Sequence, residues 1–144
     1  MRLQLALNVR DLGEAVAYYG KLFGTKPHKQ RPGYANFAIE QPPLKLVLFE
    51  NPEAPERLHH LGVEVLGEGG LAETQRRLEA ARILDDVQLE ETCCHATQDK
   101  LWSQEPQGLR WEWYRITDDA PAKTRETLGV TCCVDTVPAQ PATT

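Results

Sequence analysis

Two pairs of neighbouring cysteines, Cys93–Cys94 and Cys132–Cys133, hold all four thiols of the chain. Thiolates are ligands for soft metals and metalloids. Adjacent cysteines are badly placed to bridge each other. Their Cα atoms lie about 3.8 Å apart, whereas a relaxed disulfide prefers roughly 4.4 Å or more. Cys-x-x-Cys spacing, the mark of a zinc knuckle, is absent. Two further positions have chemistry to offer. His59 and His60 adjoin each other, and Glu112 stands between Trp111 and Trp113. On strands, successive side chains point to opposite faces. Only one of the two histidines is therefore expected in a site, and Glu112 is expected to face away from both indoles.

The chain bounds these possibilities. It has 144 residues, 41% hydrophobic and 26% charged, the composition of one globular domain with its own core. A net charge of -5 gives no reason to expect nucleic acid. The opening "MRLQLALNVRD" is charged too soon for a signal peptide, and no apolar run reaches membrane-spanning length. A cytoplasmic protein with reduced thiols is expected.

The elements that must position these residues form two similar series. "LQLALNV" predicts a strand over Leu3–Val9. Asp11 can cap a helix carrying Glu14, with Leu12, Ala15, Tyr18, Tyr19 and Leu22 at helical spacing and Gly24 at its end. "YANFAIE" and "LKLVLFE" read as strands separated by a turn at Pro42 and Pro43. "HHLGVEV" begins the second series as a strand near His59. A helix from about Leu71 follows, with Leu71, Leu78 and Ala81 on one side. "CCHATQDKLWSQ" reads as a strand, or a loop and a strand, and "LRWEWYRI" as a final strand. Each half is β-α-β-β, with room for one more short strand.

The halves can be overlaid. Gln4–Val9 matches His60–Val65, and Leu44–Phe49 matches Leu109–Tyr114. The overlay pairs Gln4 with His60 and Val47 with Glu112. If equivalent positions face one cavity, Gln4, His60 and Glu112 converge there, and Val47 leaves the fourth position without a ligand. Three protein ligands with vacant positions opposite are what a metal needs to bind substrate or dioxygen.

Taken together, "LALNVRDLGEAVAYYGKLFG" and "HHLGVEV" resemble the vicinal-oxygen-chelate superfamily, which includes glyoxalases, bleomycin-resistance proteins and extradiol dioxygenases. "RPGYANFAIEQPPLKLVLFE", "TCCHATQDKLW", "LRWEWY" and the late "TCC" resemble its arsenic-resistance and cadmium-induced branch. The resemblance covers nearly all of residues 1–116. It implies an α+β fold of two tandem βαβββ modules, about 1–53 and 58–118, whose curved sheets enclose a metal-centred cavity. A polar tail, 119–144, carries the second cysteine pair. It also implies iron(II)- and dioxygen-dependent cleavage of the carbon–arsenic bond of trivalent organoarsenicals, such as methylarsenite or aromatic arsenicals, to give arsenite. Gln4, His60 and Glu112 match the family's metal ligands, in a site that other divalent ions could also occupy. Cys93 and Cys94 match the pair that binds trivalent arsenic, and Lys100 matches a lysine placed near the reaction. Cys132 and Cys133 could relay metalloid inward.

A strand would send Cys93 and Cys94 to opposite faces, so joint capture of one arsenic atom requires a loop or an irregular strand end. His95 could polarise a thiol. Tyr34, Phe37, Trp102 and Trp111 are available for the cavity or the core. The chain could act as a monomer or as a homodimer. The principal rival reading is a protein that binds cadmium, arsenite or antimonite through its thiols without turnover.

Overall fold

The computed structural model describes residues 1–93 and 96–121. The first module runs β1 (Arg2–Val9), α1 (Leu12–Phe23), β2 (Lys29–Arg31), β3 (Tyr34–Ile39) and β4 (Leu44–Glu50). The second runs β5 (Leu58–Glu64), α2 (Gly70–Ala80), β6 (Asp86–Cys93), β7 (Ala96–Gln104) and β8 (Arg110–Asp118). Each is βαβββ, in accord with the tandem architecture expected from the sequence. No described helix is long and apolar enough to cross a membrane.

Local chemistry explains the helix ends. Asp11 Oδ1 accepts the Glu14 amide at 2.8 Å, and Gly24 closes α1 with φ 62°, a conformation that favours glycine. The buried stripe of α1 differs from the expected one. Leu12, Ala15, Val16, Tyr19 and Phe23 face the core, while Tyr18 and Leu22 are exposed. At about 100° per residue, steps of four, three and four from Leu12 select Val16, Tyr19 and Phe23. In α2 the stripe is Leu71, Thr74 and Leu78; Ala81 is the exposed C-cap. α1 packs on Val9, Phe37, Leu46 and Leu48, and α2 on Val65, Leu101 and Trp113. Phe37 thus belongs to the core.

Among the described residues, the strands join one mixed sheet in the order β2-β3-β4-β1-β5-β8-β7-β6. β1 pairs parallel with β4, β5 parallel with β8, and β1 antiparallel with β5 at the centre. The sheet curls strongly. Beyond the end of β8, Asp119 Oδ1 lies 3.0 Å from Lys29 Nζ of β2 and Asp119 Oδ2 lies 3.0 Å from His28 Nε2. β2 and β8 are five positions apart in the strand order, which would separate them by about 24 Å in a flat sheet.

The registers reproduce the internal repeat. Ala6 pairs with Val47 between β1 and β4, and Gly62 with Glu112 between β5 and β8. This is the alignment that superposes Gln4 on His60 and Val47 on Glu112. β6 is the element least visible in the sequence. It is a largely exposed, acidic edge strand, interrupted by a register shift between Gln88 and Glu91, with Glu90 at φ 50°. Charge and bulging are common at edges, where they discourage further pairing.

Candidate functional site

Lys45, Gln4, Gly62, Glu112 and Trp102 form one row across β4, β1, β5, β8 and β7. Cross-strand partners share a face, and on this face the curved sheet brings Gln4, His60 and Glu112 together. Gln4 Nε2 donates to Glu112 Oε2 at 2.7 Å and lies 2.9 Å from His60 Nε2. His60 Nε2 is 3.2 Å from the same carboxylate oxygen. All three side chains are buried. Gly62 makes this approach feasible, because a Cβ there would sit 3.0 Å from the Glu112 carbonyl oxygen and 3.2 Å from Gln4 Nε2. Val47, in the position equivalent to Glu112, is a buried apolar side chain that offers no ligand.

Lys100 is also buried, and its Nζ lies 3.1 Å from Glu112 Oε1. Burial raises the pKa of Glu112, but the Lys100 charge and then His60 outweigh it, and the carboxyl is held down at about 2. Glu112 is therefore an anion at neutral pH. The Trp102 ring stands edge-on to His60, with centroids 5.3 Å apart, and the Arg110 guanidinium covers Trp102 at 4.2 Å. Trp113 lies on the other face with α2, beneath Arg77.

Cys93 is buried at the end of β6, opposite Ala96 of β7. Its carbonyl accepts Gln98 Nε2 at 3.2 Å. The register places Cys93 on the same sheet face as Gln98 and Lys100. Cys94, His95, Cys132 and Cys133 lie outside the described residues.

A second polar layer adjoins the first and was not singled out from the sequence. Arg2 pairs with Glu64, and Tyr114 is buried beside them with no partner for its hydroxyl among the described residues. Burial, followed by the charges of Glu64 and Glu112, pushes the Tyr114 hydroxyl well above its usual pKa. Burial also lowers the pKa of Lys45. One two-residue step from Gln4 and from Glu112 leads to Arg2 and Tyr114, and two such steps from His60, through Gly62, lead to Glu64, so strand alternation places all three on this face.

Gln4 offers an amide oxygen, His60 an imidazole nitrogen and Glu112 a carboxylate. That donor set suits a divalent cation of intermediate hardness, and Gln4 presents its oxygen once the terminal amide turns over. Among the described residues, no three His, Cys, Asp or Glu side chains form a metal cluster. The converged set has two such groups plus the amide.

This paired βαβββ architecture is matched in sequence. Residues 3–113 match the Glyoxalase/Bleomycin resistance protein/Dioxygenase superfamily, and the chain belongs to it. Within the superfamily, the chain is 50% identical over 119 residues to the cadmium-induced protein CadI of Mycobacterium tuberculosis, covering 83% of this chain and 78% of the relative. It is 49% identical over 120 residues to a trivalent organoarsenical cleaving enzyme of Thermomonospora curvata, covering 83% and 80%. A second such enzyme, from a Bacillus species, is 33% identical over 133 residues, covering 91% and 81%. A superfamily member from Vibrio splendidus shares the fold with a TM-score of 0.52 and 18% identity, over 80% of this chain and 97% of that one. Catechol 2,3-dioxygenase gives 0.51 and 18%, over 84% of this chain and 42% of that one.

Proposed function

We propose that this chain is an enzyme that cleaves the carbon–arsenic bond of trivalent organoarsenicals, releasing arsenite and an oxidised carbon fragment. The observation that carries the reading is the placement of Cys93 on the sheet face that gathers Gln4, His60, Glu112 and Lys100, in a chain 49% identical to an enzyme of that activity. Gln4, His60 and Glu112 would hold iron(II), which supplies dioxygen binding and redox chemistry when bound.

The other residues bind and orient. Cys93 and Cys94 take two of the three covalent positions of trivalent arsenic, leaving the organic group as the third. Lys100 keeps Glu112 ionised as a ligand and places a cation beside the reacting centre. Trp102 and Val47 give the site apolar walls that exclude water.

Arsenic speciation after mixing iron-loaded protein with methylarsenite tests the reading. Arsenite is expected in air, with loss of turnover without dioxygen and in Cys93→Ser. Turnover that persists without dioxygen would refute the oxygenase chemistry. Binding in air without arsenite release would favour sequestration, the reading suggested by 50% identity to a cadmium-induced protein.

A further inference from the structure

Bulges re-aim side chains and reset the pairing of the residues that follow. In β5 the extra residue is His59, whose ring turns onto His60, Nδ1 to Nδ1 at 2.7 Å, instead of to the opposite face. The bulge in β6 acts on a longer segment. Before it, Gln88 lies opposite Lys100; after it, Glu91 lies opposite Gln98, Thr92 opposite Thr97 and Cys93 opposite Ala96. Gln88 and Cys93 are five residues apart, an odd number, and yet they share a face. Regular alternation from Gln88 would turn Thr92 to that face and Cys93 away from it. The one added residue of the bulge is what points Cys93 to the side of Lys100 and Glu112.

One side chain holds this bulge. Glu90, at φ 50°, sits in the left-handed region, which a residue with a side chain adopts only at a cost. Its backbone amide donates to Asp99 Oδ1 at 2.9 Å, across the strand pair. Asp99 Oδ2 in turn accepts from Arg115 Nη2 of β8 at 2.9 Å. Asp99 is 8% exposed, so water competes little for these bonds, and bonds to a charged acceptor are the stronger kind. Asp99 lies on the opposite face of β7 from Gln98 and Lys100. On that same face Thr92 Oγ1 and Thr97 Oγ1 meet at 2.9 Å. The unbulged register would place Thr92 opposite Ala96 and could not form that pair.

We propose that Asp99 is a positioning residue for Cys93: by accepting the Glu90 amide it fixes the bulge of β6, and through that register it turns the Cys93 thiol to the face of Lys100 and Glu112. The direction of Cys93 follows from strand pairing alone, whereas its consequence for arsenical capture rests on the arsenical reading above. A thiol on that face bonds trivalent arsenic by replacing one hydroxyl, which leaves as water with the thiol proton.

Two variants test the assignment, read by NMR on isotope-labelled protein and by equilibrium titration with methylarsenite. In the wild-type chain, nuclear Overhauser contacts should join Thr92 to Thr97 and Glu91 to Gln98. Asp99→Ala removes the acceptor and should replace these with contacts from Thr92 to Ala96 and from Glu90 to Gln98, the pairing of an unbulged strand. Its methylarsenite affinity should fall with the slip. Deleting Glu90 in the Asp99→Ala background removes the residue that needs holding and leaves Cys93 opposite Ala96. The Thr92–Thr97 contact and the affinity should then return, a recovery that general loss of stability would not show. Wild-type pairing retained in Asp99→Ala, or a deletion that restores neither readout, would overturn the proposal. So would an affinity unchanged by the slip. If Asp99→Ala fails to fold, the deletion variant decides: Thr92–Thr97 pairing in it supports the proposal and failure to fold overturns it. If the register slips and returns but the wild-type chain binds no methylarsenite, the arsenical reading falls while the hold of Asp99 on β6 is supported.

Discussion

Lys100→Met probes the charge balance of the site. Glu112 is only 3% exposed, and its Oε1 lies 3.1 Å from Lys100 Nζ. Burial opposes its ionisation; the Lys100 charge and then His60 reverse that and lower its pKa from 4.5 to about 2. At about 1.36 kcal/mol per pKa unit, that drop represents roughly 3 kcal/mol of folding stability. The folded value lies below the unfolded one. The contribution is therefore fully present above pH 4.5 and is lost as the pH falls towards about 2. Removing one partner of a buried ion pair typically costs about 3–5 kcal/mol, because the other charge is stranded. Urea unfolding of the metal-free Lys100→Met variant at neutral pH should show a loss of about 3 kcal/mol. The loss should shrink at roughly pH 4, where the stranded carboxyl is protonated in the folded variant. Adding Glu112→Gln should recover most of it. A coupling energy below about 0.5 kcal/mol in that double-mutant cycle would refute the pairing.

Gly62→Ala should destabilise the chain by about 1–3 kcal/mol through overpacking against the Glu112 carbonyl and Gln4. It should also weaken iron(II) binding, measurable by chelator competition, because Gln4 is displaced. Asp11→Ala removes the acceptor of the Glu14 amide and should lower stability by about 1 kcal/mol in urea unfolding, with no change in iron(II) affinity.

Much of the fold is written in short-range pattern. Asp11 and Gly24 mark the ends of α1, and "LKLVLFE" and "LRWEWY" declare strands by their composition. The likeness of the two halves implies only that their registers are equivalent, and they are: Ala6 lies opposite Val47 and Gly62 opposite Glu112. That is how three residues far apart in the chain could be nominated for one site. The eight-residue β6 was harder to see, because its polar composition reflects an edge position that only the assembled sheet defines.

The sequence by itself nominated residues able to do chemistry and most of the strands that present them, because alternation and helical period are properties of the local backbone. Tertiary structure alone decided their relations. It curled the sheet until Gln4, His60 and Glu112 met. It buried Lys100 against Glu112, and it placed Cys93 at a strand end facing the same side. It also put a bulge at His59, turning the imidazole that alternation would have sent away back onto its neighbour. Bulges and curvature arise from pairing between distant strands, and no local period encodes them.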